Sequence, residues 1–136
     1  IYQQWAHERL VIDKWFGIQI SQAAPADASK VAKFLTEHEA FNVKNPNRFR
    51  ATLGALAANT AGFHAADGSG YALLADWLIT LDGINPHTTA RMTSAFETWA
   101  MWDRARGEKM RVEMKRILST PNLSSDTTEM ITRILG

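Results

Sequence analysis

The sequence predicts an all-α fold of stacked antiparallel helix pairs, a HEAT-like α-α superhelix of about eight helices. Three observations lead there. Apolar residues recur at intervals of three and four along most of the chain, the spacing that places them on one face of a helix. The breaks between these runs carry helix-start residues, whose side chains satisfy the free N–H groups of a first turn. No stretch alternates apolar and polar residues as a half-buried strand would.

Each element has its own signal. The opening stretch, residues 1–20, holds Trp5, Ile12, Trp15 and Phe16. It is too apolar for a free terminus, and the first residue is Ile1. We therefore expect residues 1–136 to be a single helical domain cut from a longer, multidomain polypeptide. Pro25 with Asp27 marks the next helix start, with Val31, Phe34 and Leu35 lining its apolar face. Asn45-Pro46 opens the next: Asn accepts from a free backbone N–H, and Pro at the first helical position has none to leave unpaired. Phe49, Leu53, Leu56 and Ala57 follow at helical spacing.

The loop from His64 to Tyr71 contains Asp67-Gly68 and Ser69-Gly70. It reads first as a tight helix-to-helix connection; a cradle for an anion on its N–H groups is the alternative. Tyr71, Leu74, Leu78 and Leu81 line the helix beyond it, and Asn85-Pro86 repeats the earlier start. Met110, Met114, Ile117 and Leu118 mark another helix. Asp126 and Glu129 have capping-box spacing ahead of Met130, Ile131, Ile134 and Leu135. The two Asn-Pro starts lie forty residues apart, the size of one helix pair in a HEAT-like array. Such arrays present faces that contact a partner.

Composition narrows the function classes. Apolar residues make up 46% and charged residues 21%, with a net charge of +1. No whole-chain field draws the protein to nucleic acid or an anionic membrane. There is no cysteine, which removes disulfides and thiolate ligands and suits a reducing, cytoplasmic setting. No apolar run reaches the ~20 residues of a membrane span.

The residue types of catalysis do not assemble in sequence. A zinc peptidase helix needs two His one turn apart with a Glu beside the first. The four His are His7, His38, His64 and His87. His7-Glu8 begins that pattern and ends at Val11; His38-Glu39 begins it and ends at Asn42. No Ser sits in a Gly-x-Ser-x-Gly elbow. The basic run Arg104, Arg106, Lys109, Arg111, Lys115 and Arg116 is interleaved with Glu108 and Glu113 at helical pair spacings, so it reads as a solvated, ion-paired face. Trp99 and Trp102 are three apart and are expected to share a helix face in packing. We expect no catalytic residue, metal ligand or cofactor within this chain.

Several segments, in order, resemble the end of bacterial aminopeptidase N, a family of zinc metallopeptidases. They are Leu10 to Phe16, Phe41 to Arg48, Phe63 to Tyr71, Ile84 to Pro86, and Pro121 to Ser124. The resemblance runs the length of the chain. It implies a C-terminal helical superhelix packed over an upstream catalytic domain, where one zinc is held by two His and a Glu. It implies removal of N-terminal residues from peptides, in the cytoplasm, with this region closing the cavity and limiting entry. Neither the zinc motif nor the family's exopeptidase motif occurs here. The partners implied are the upstream catalytic domain and the peptide substrate, with no nucleic acid and no membrane.

The resemblance also selects candidate cavity-facing residues at the two Asn-Pro starts: Asn47, Arg48 and Arg50 at the first, His87 and Arg91 at the second. Residues 87 and 91 are one turn apart and share a face. In the family the positions matching His87 and Arg91 look out on the leaving-group side of the substrate. An Arg there holds a peptide carbonyl or carboxylate through a charge-assisted bond. Relatives often carry Gln where this chain has His87. Surface or interdomain ion pairing is the alternative for Arg50 and Arg91. A free-standing helical-repeat scaffold that binds a protein or peptide is the alternative for the chain as a whole.

Overall fold

The computed structural model describes residues 2–136, with side chains from residue 7 onward; the side chain of Trp5 lies outside the described residues. Every regular element among them is helical, as the spacing predicts. In order they are α1 (Tyr2–Ser21), α2 (Ala28–Thr36), α3 (Pro46–Phe49), α4 (Ala55–Ala58), α5 (Thr60–Phe63), α6 (Ser69–Asp82), α7 (Pro86–Met92), α8 (Arg104–Leu118) and α9 (Ser125–Leu135). A π-helical segment, Arg50–Gly54, joins α3 to α4. Taking that rod as one helix gives the eight expected. Two 3₁₀ turns, Thr93–Phe96 and Trp99–Met101, lie between α7 and α8.

The chain divides into two compact units, Ile1–Phe63 and His64–Gly136. In the first, Phe16 and Ile20 of α1, Leu35 of α2, and Phe49, Leu53 and Leu56 of the interrupted rod are fully buried together. α5 lies close enough to α2 that a side chain at Gly62 would collide with Ala28. Asn59 ties the end of the rod to α1 by donating to the carbonyls of Ile20 (2.9 Å) and Ala23 (3.2 Å).

In the second unit α6 is the central helix, with Tyr71, Leu74, Leu78 and Leu81 buried along it. Both α7 and α8 pack against α6, and α9 packs against α7. Met110, Met114, Ile117 and Ile131 complete that core. Asp82, at the end of α6, fixes the start of α9. Its carboxylate accepts from Ser124 N (2.8 Å), Ser124 Oγ (2.6 Å) and Thr127 Oγ1 (2.6 Å).

Both Asn-Pro starts form as the residues predict. Asn45 Oδ1 accepts from Arg48 N and Asn85 Oδ1 from Thr88 N, each at 3.1 Å. Asp27 is the residue before α2, but its side chain caps nothing. Three local readings are corrected. Phe34 does not line the core: it is 68% exposed, and α2 buries Ala28, Ala32 and Leu35 instead. The cap of α9 is Ser124, which accepts from Thr127 N at 3.1 Å, so Asp126 sits inside the first turn. The Ser124 hydroxyl is held in the cap position by donating to Asp82 Oδ1. Trp99 and Trp102 share no α-helical face: they lie in and just after a 3₁₀ turn. Trp99 Nε1 donates to the Ile134 carbonyl at 3.0 Å and Trp102 Nε1 to Thr98 Oγ1 at 3.1 Å.

Candidate functional site

The five candidate residues separate into three kinds of environment. Arg48 is buried, 5% exposed. Its Nε pairs with Asp13 of α1 and one terminal nitrogen donates to the Ala40 carbonyl. Its guanidinium also lies 5.4 Å from the centre of the Phe16 ring. All of that chemistry is directed into the first unit. Arg48 locks α3 to α1.

Asn47 and Arg50 sit on the opposite side of the same turn, exposed. Arg50 donates to Asn47 Oδ1 at 2.9 Å, so the two present one joint polar surface. Asn47 also borders a cleft of about 720 Å³ whose rim includes Glu8, Arg9, Glu39 and Lys44.

His87 and Arg91 are exposed on α7 and line one groove of about 230 Å³. Ala90 and Met130 form its apolar floor, and Asp126 and Glu129 of α9 face the two basic residues across it. Glu129 is engaged by Arg133 at 3.1 Å. Arg91 makes no ion pair within 4.0 Å among the described residues. The Asn85 cap and the hydroxyl of Thr89, which donates to the Asn85 carbonyl at 2.9 Å, hold this turn in place. The structure therefore brings His87 and Arg91 together and gives them a rigid base. Asn47 and Arg50 form a separate pair in the other unit.

The glycine-containing loop is a connection with an ordered core rather than an open anion cradle. Gly68 has φ +75°, a left-handed backbone that favours glycine, and the Lys109 side chain lies over it, so that a Cβ there would push that chain aside. Asp67 Oδ1 accepts from Ser69 N (2.9 Å) and Ser69 Oγ (2.7 Å), which fixes the turn into α6. At its two ends sit His64 and Tyr71, with His64 Nδ1 2.6 Å from the Tyr71 hydroxyl. The imidazole stacks on Trp102, centroids 3.9 Å apart. Arg106 Nε donates to the His64 carbonyl at 2.6 Å, and its other end pairs with Asp103 at 2.9 Å.

Burial, reinforced by the Arg106 charge, pushes the His64 pKa down. Burial pushes the Tyr71 hydroxyl up to about 12. Both groups are thus neutral near pH 7. The sequence marks this loop for its glycines and gives no sign of the stack, because Trp102 and Arg106 come from far along the chain. The ion-paired reading of α8 holds in part: Arg111 meets Glu108 at 3.2 Å, and Arg116 meets Glu113 and Asp76, each at 2.7 Å.

No group of three or more His, Asp or Glu among the described residues is arranged to hold a metal ion. No helix among them is long and apolar enough to cross a membrane.

Comparison with known proteins decides the family. Residues 1–136 match the family described as a domain of unknown function, DUF3458_C, ARM repeats. The chain belongs to this family. It is 39% identical over 136 residues to aminopeptidase N of Caulobacter vibrioides, covering 99% of this chain and 16% of that protein. It is 38% identical to aminopeptidase N of Escherichia coli, covering 98% of this chain and 15% of that one. Among solved structures, Legionella pneumophila aminopeptidase A, crystallised with aspartic acid, matches with TM-score 0.87 and 36% identity over 98% of this chain and 16% of that one. The chain thus spans about a sixth of the length of these relatives. The expected resemblance to aminopeptidase N and the helical-repeat fold are both borne out.

Proposed function

We propose that this chain is the C-terminal, non-catalytic region of a zinc-dependent aminopeptidase of the aminopeptidase N kind, which removes N-terminal residues from peptides in the cytoplasm. In that protein it closes and shapes the substrate cavity and limits what enters. The observation that carries the reading is similarity of 38–39% across essentially the whole chain to proteins six times longer that share that name. No group of three or more His, Asp or Glu among the described residues could hold a metal ion, and on this reading the zinc and the bond-breaking chemistry belong to the remainder of the polypeptide.

Within that reading His87 and Arg91 face the cavity on the leaving-group side. Arg91 has what the role needs: it is exposed, it is free of ion pairs among the described residues, and it stands on a capped helix start. Its guanidinium binds the carbonyl or terminal carboxylate of the peptide beyond the scissile bond. His87, one turn away, supplies a second hydrogen bond. Asn47 and Arg50 are proposed to face the cavity or the neighbouring domain as a pair, with Arg48 positioning them through Asp13.

Steady-state kinetics of the full-length enzyme test this. Arg91→Ala is expected to raise KM for tri- and tetrapeptides about tenfold, equivalent to one lost charge-assisted bond. An alanyl anilide, which has no residue beyond the scissile bond, is expected to be cleaved as before. Equal loss on both substrates, or on neither, would refute the assignment of Arg91.

A further inference from the structure

The groove between α7 and α9 carries charge of opposite sign on its two walls. On α7, His87, Ala90 and Arg91 fall on one helix face; on α9, Asp126, Glu129 and Met130 do the same. Ala90 is buried and Met130 half-buried, so an apolar strip runs between the walls.

Several neighbours of opposite charge in this unit pair off. Arg133 takes Glu129 at 3.1 Å, Arg111 takes Glu108 at 3.2 Å, and Arg116 takes Glu113 at 2.7 Å. Arg91 and Asp126 do not. Both are exposed and both line the same groove, yet neither makes an ion pair among the described residues. Asp126 stands in the first turn of α9, where the positive end of the helix supports a negative charge, so it needs no basic partner from its own chain. A ligand that met both walls would offer a carbonyl or carboxylate to Arg91 and a cation to Asp126, joined across the apolar strip. One residue type has that pattern: Lys or Arg, whose main-chain oxygen and side-chain cation are separated by an aliphatic stem.

We propose that this groove reads the residue beyond the scissile bond and favours a basic one, with Asp126 setting the preference. The proposal rests on the reading of Arg91 as a cavity residue and adds the substrate class to it. Arg91 holds the main-chain oxygen. Asp126 takes the ammonium or guanidinium. The stem lies on Ala90 and on Met130, whose unbranched thioether adapts to either length. Glu129 is the lesser partner, because Arg133 already engages it, with the two side chains 69% and 70% exposed. An acidic residue in the same place meets two carboxylates, so the groove selects by repulsion as well as by attraction.

The test is a set of three dipeptides, alanyl-lysine, alanyl-methionine and alanyl-glutamate, cleaved by the full-length enzyme. The wild type is expected to rank them in that order by kcat/KM. Asp126→Asn is expected to lower the lysine-to-glutamate ratio about fivefold, the effect of an exposed ion pair. Asp126→Lys should invert the order of those two. Added salt should shrink the wild-type preference and leave that of Asp126→Asn unmoved, because exposed charges are screened. A role of Asp126 confined to the start of α9 would change all three substrates by one factor. That result, or an unchanged ratio, would overturn the proposal. Arg91→Ala keeps the two ideas apart. If it weakens all three dipeptides while the ratio ignores Asp126→Asn, the cavity reading stands and the basic preference falls. If it affects none of them, the cavity reading falls first and takes the preference with it.

Discussion

The two Asn-Pro helix starts share a cap and diverge one turn later. At the first, Arg48 turns inward to Asp13, and the rod then passes through a π-helical segment in which Thr52 Oγ1 donates to the Arg48 carbonyl at 2.7 Å. At the second, the turn keeps its basic residues outside, and Thr89 bonds back to the Asn85 carbonyl. The same local chemistry thus starts both helices. What each start does afterwards depends on the neighbour it meets. The first has a carboxylate from α1 within reach and becomes an anchor. The second is anchored from elsewhere in its unit, by Asp82 on Ser124 and Thr127, and its first turn remains free to contact something else. The two starts thus differ in their surroundings: Arg48 is buried on Asp13 at the first, whereas His87 and Arg91 stay exposed at the second.

The largest effect that separates the two starts is expected at Arg48. Arg48→Ala leaves the Asp13 carboxylate, itself only 16% exposed, without its partner. Breaking a buried pair by removing one member costs about 3 kcal/mol. Urea unfolding of the chain measures it; a loss under about 1 kcal/mol would mean that water reaches Asp13 and that the two starts are not different in kind. The matching anchor of the second unit is Asp82. Asp82→Ala strands the Ser124 and Thr127 donors, at a cost of about 2 kcal/mol, and should be felt in the second unit's near-ultraviolet signal first.

The caps give a smaller, symmetric effect. Asn45→Ala and Asn85→Ala each remove one accepted N–H bond and should each cost about 1 kcal/mol. Equal costs support the claim that the caps are equivalent and that only their surroundings differ. A cost at Asn45 several times that at Asn85 would show that the first cap and the Arg48 anchor act as one unit.

These comparisons also mark what was legible in the sequence. Caps and apolar spacing depend on residues within a turn of each other, so Asn45, Asn85 and the buried faces of α6 and α8 could be read directly. Phe34 could not. Its spacing matches Val31 and Leu35, but the small residues Ala28 and Ala32 let the neighbouring helix come close, and that moved the buried face round. Asp126 has the capping-box spacing to Glu129, but the competing claim of Ser124 depends on Asp82, over forty residues earlier. The fate of Arg48 depends likewise on Asp13, thirty-five residues earlier. The site residues follow the same rule. The pairing of His87 with Arg91 is one helical turn and was legible; the facing carboxylates of Asp126 and Glu129 come from another helix and were not.

The His64 stack gives a pH effect confined to the second unit. The folded pKa of His64 lies below its unfolded value of 6.5, so between the two the unfolded chain binds more protons. Stability is therefore full above about pH 6.5 and falls as the pH drops through that value towards the folded pKa. The stack of His64, Tyr71 and Trp102 should loosen on acidification, and a change in Trp102 fluorescence reports it. His64→Gln should flatten the stability profile between pH 7 and pH 5.5 while leaving the Asn45 region unaffected. A profile unchanged by that substitution would place the acid sensitivity elsewhere.

The smallest effect expected on stability is at Arg91. Arg91 has no ion pair among the described residues and is exposed, so Arg91→Ala should change unfolding free energy by no more than about 0.5 kcal/mol. Ala is also the better helix former, which favours the variant slightly. That expectation is the counterpart of the loss at Arg48. Two arginines, each following an Asn-Pro start, should give opposite profiles in one pair of measurements: Arg48→Ala lowers the stability of the chain, whereas Arg91→Ala leaves its stability alone and alters peptide KM in the full-length enzyme. If Arg91→Ala instead costs as much stability as Arg48→Ala, the second start is an anchor like the first, and its basic residues lose their claim to the cavity.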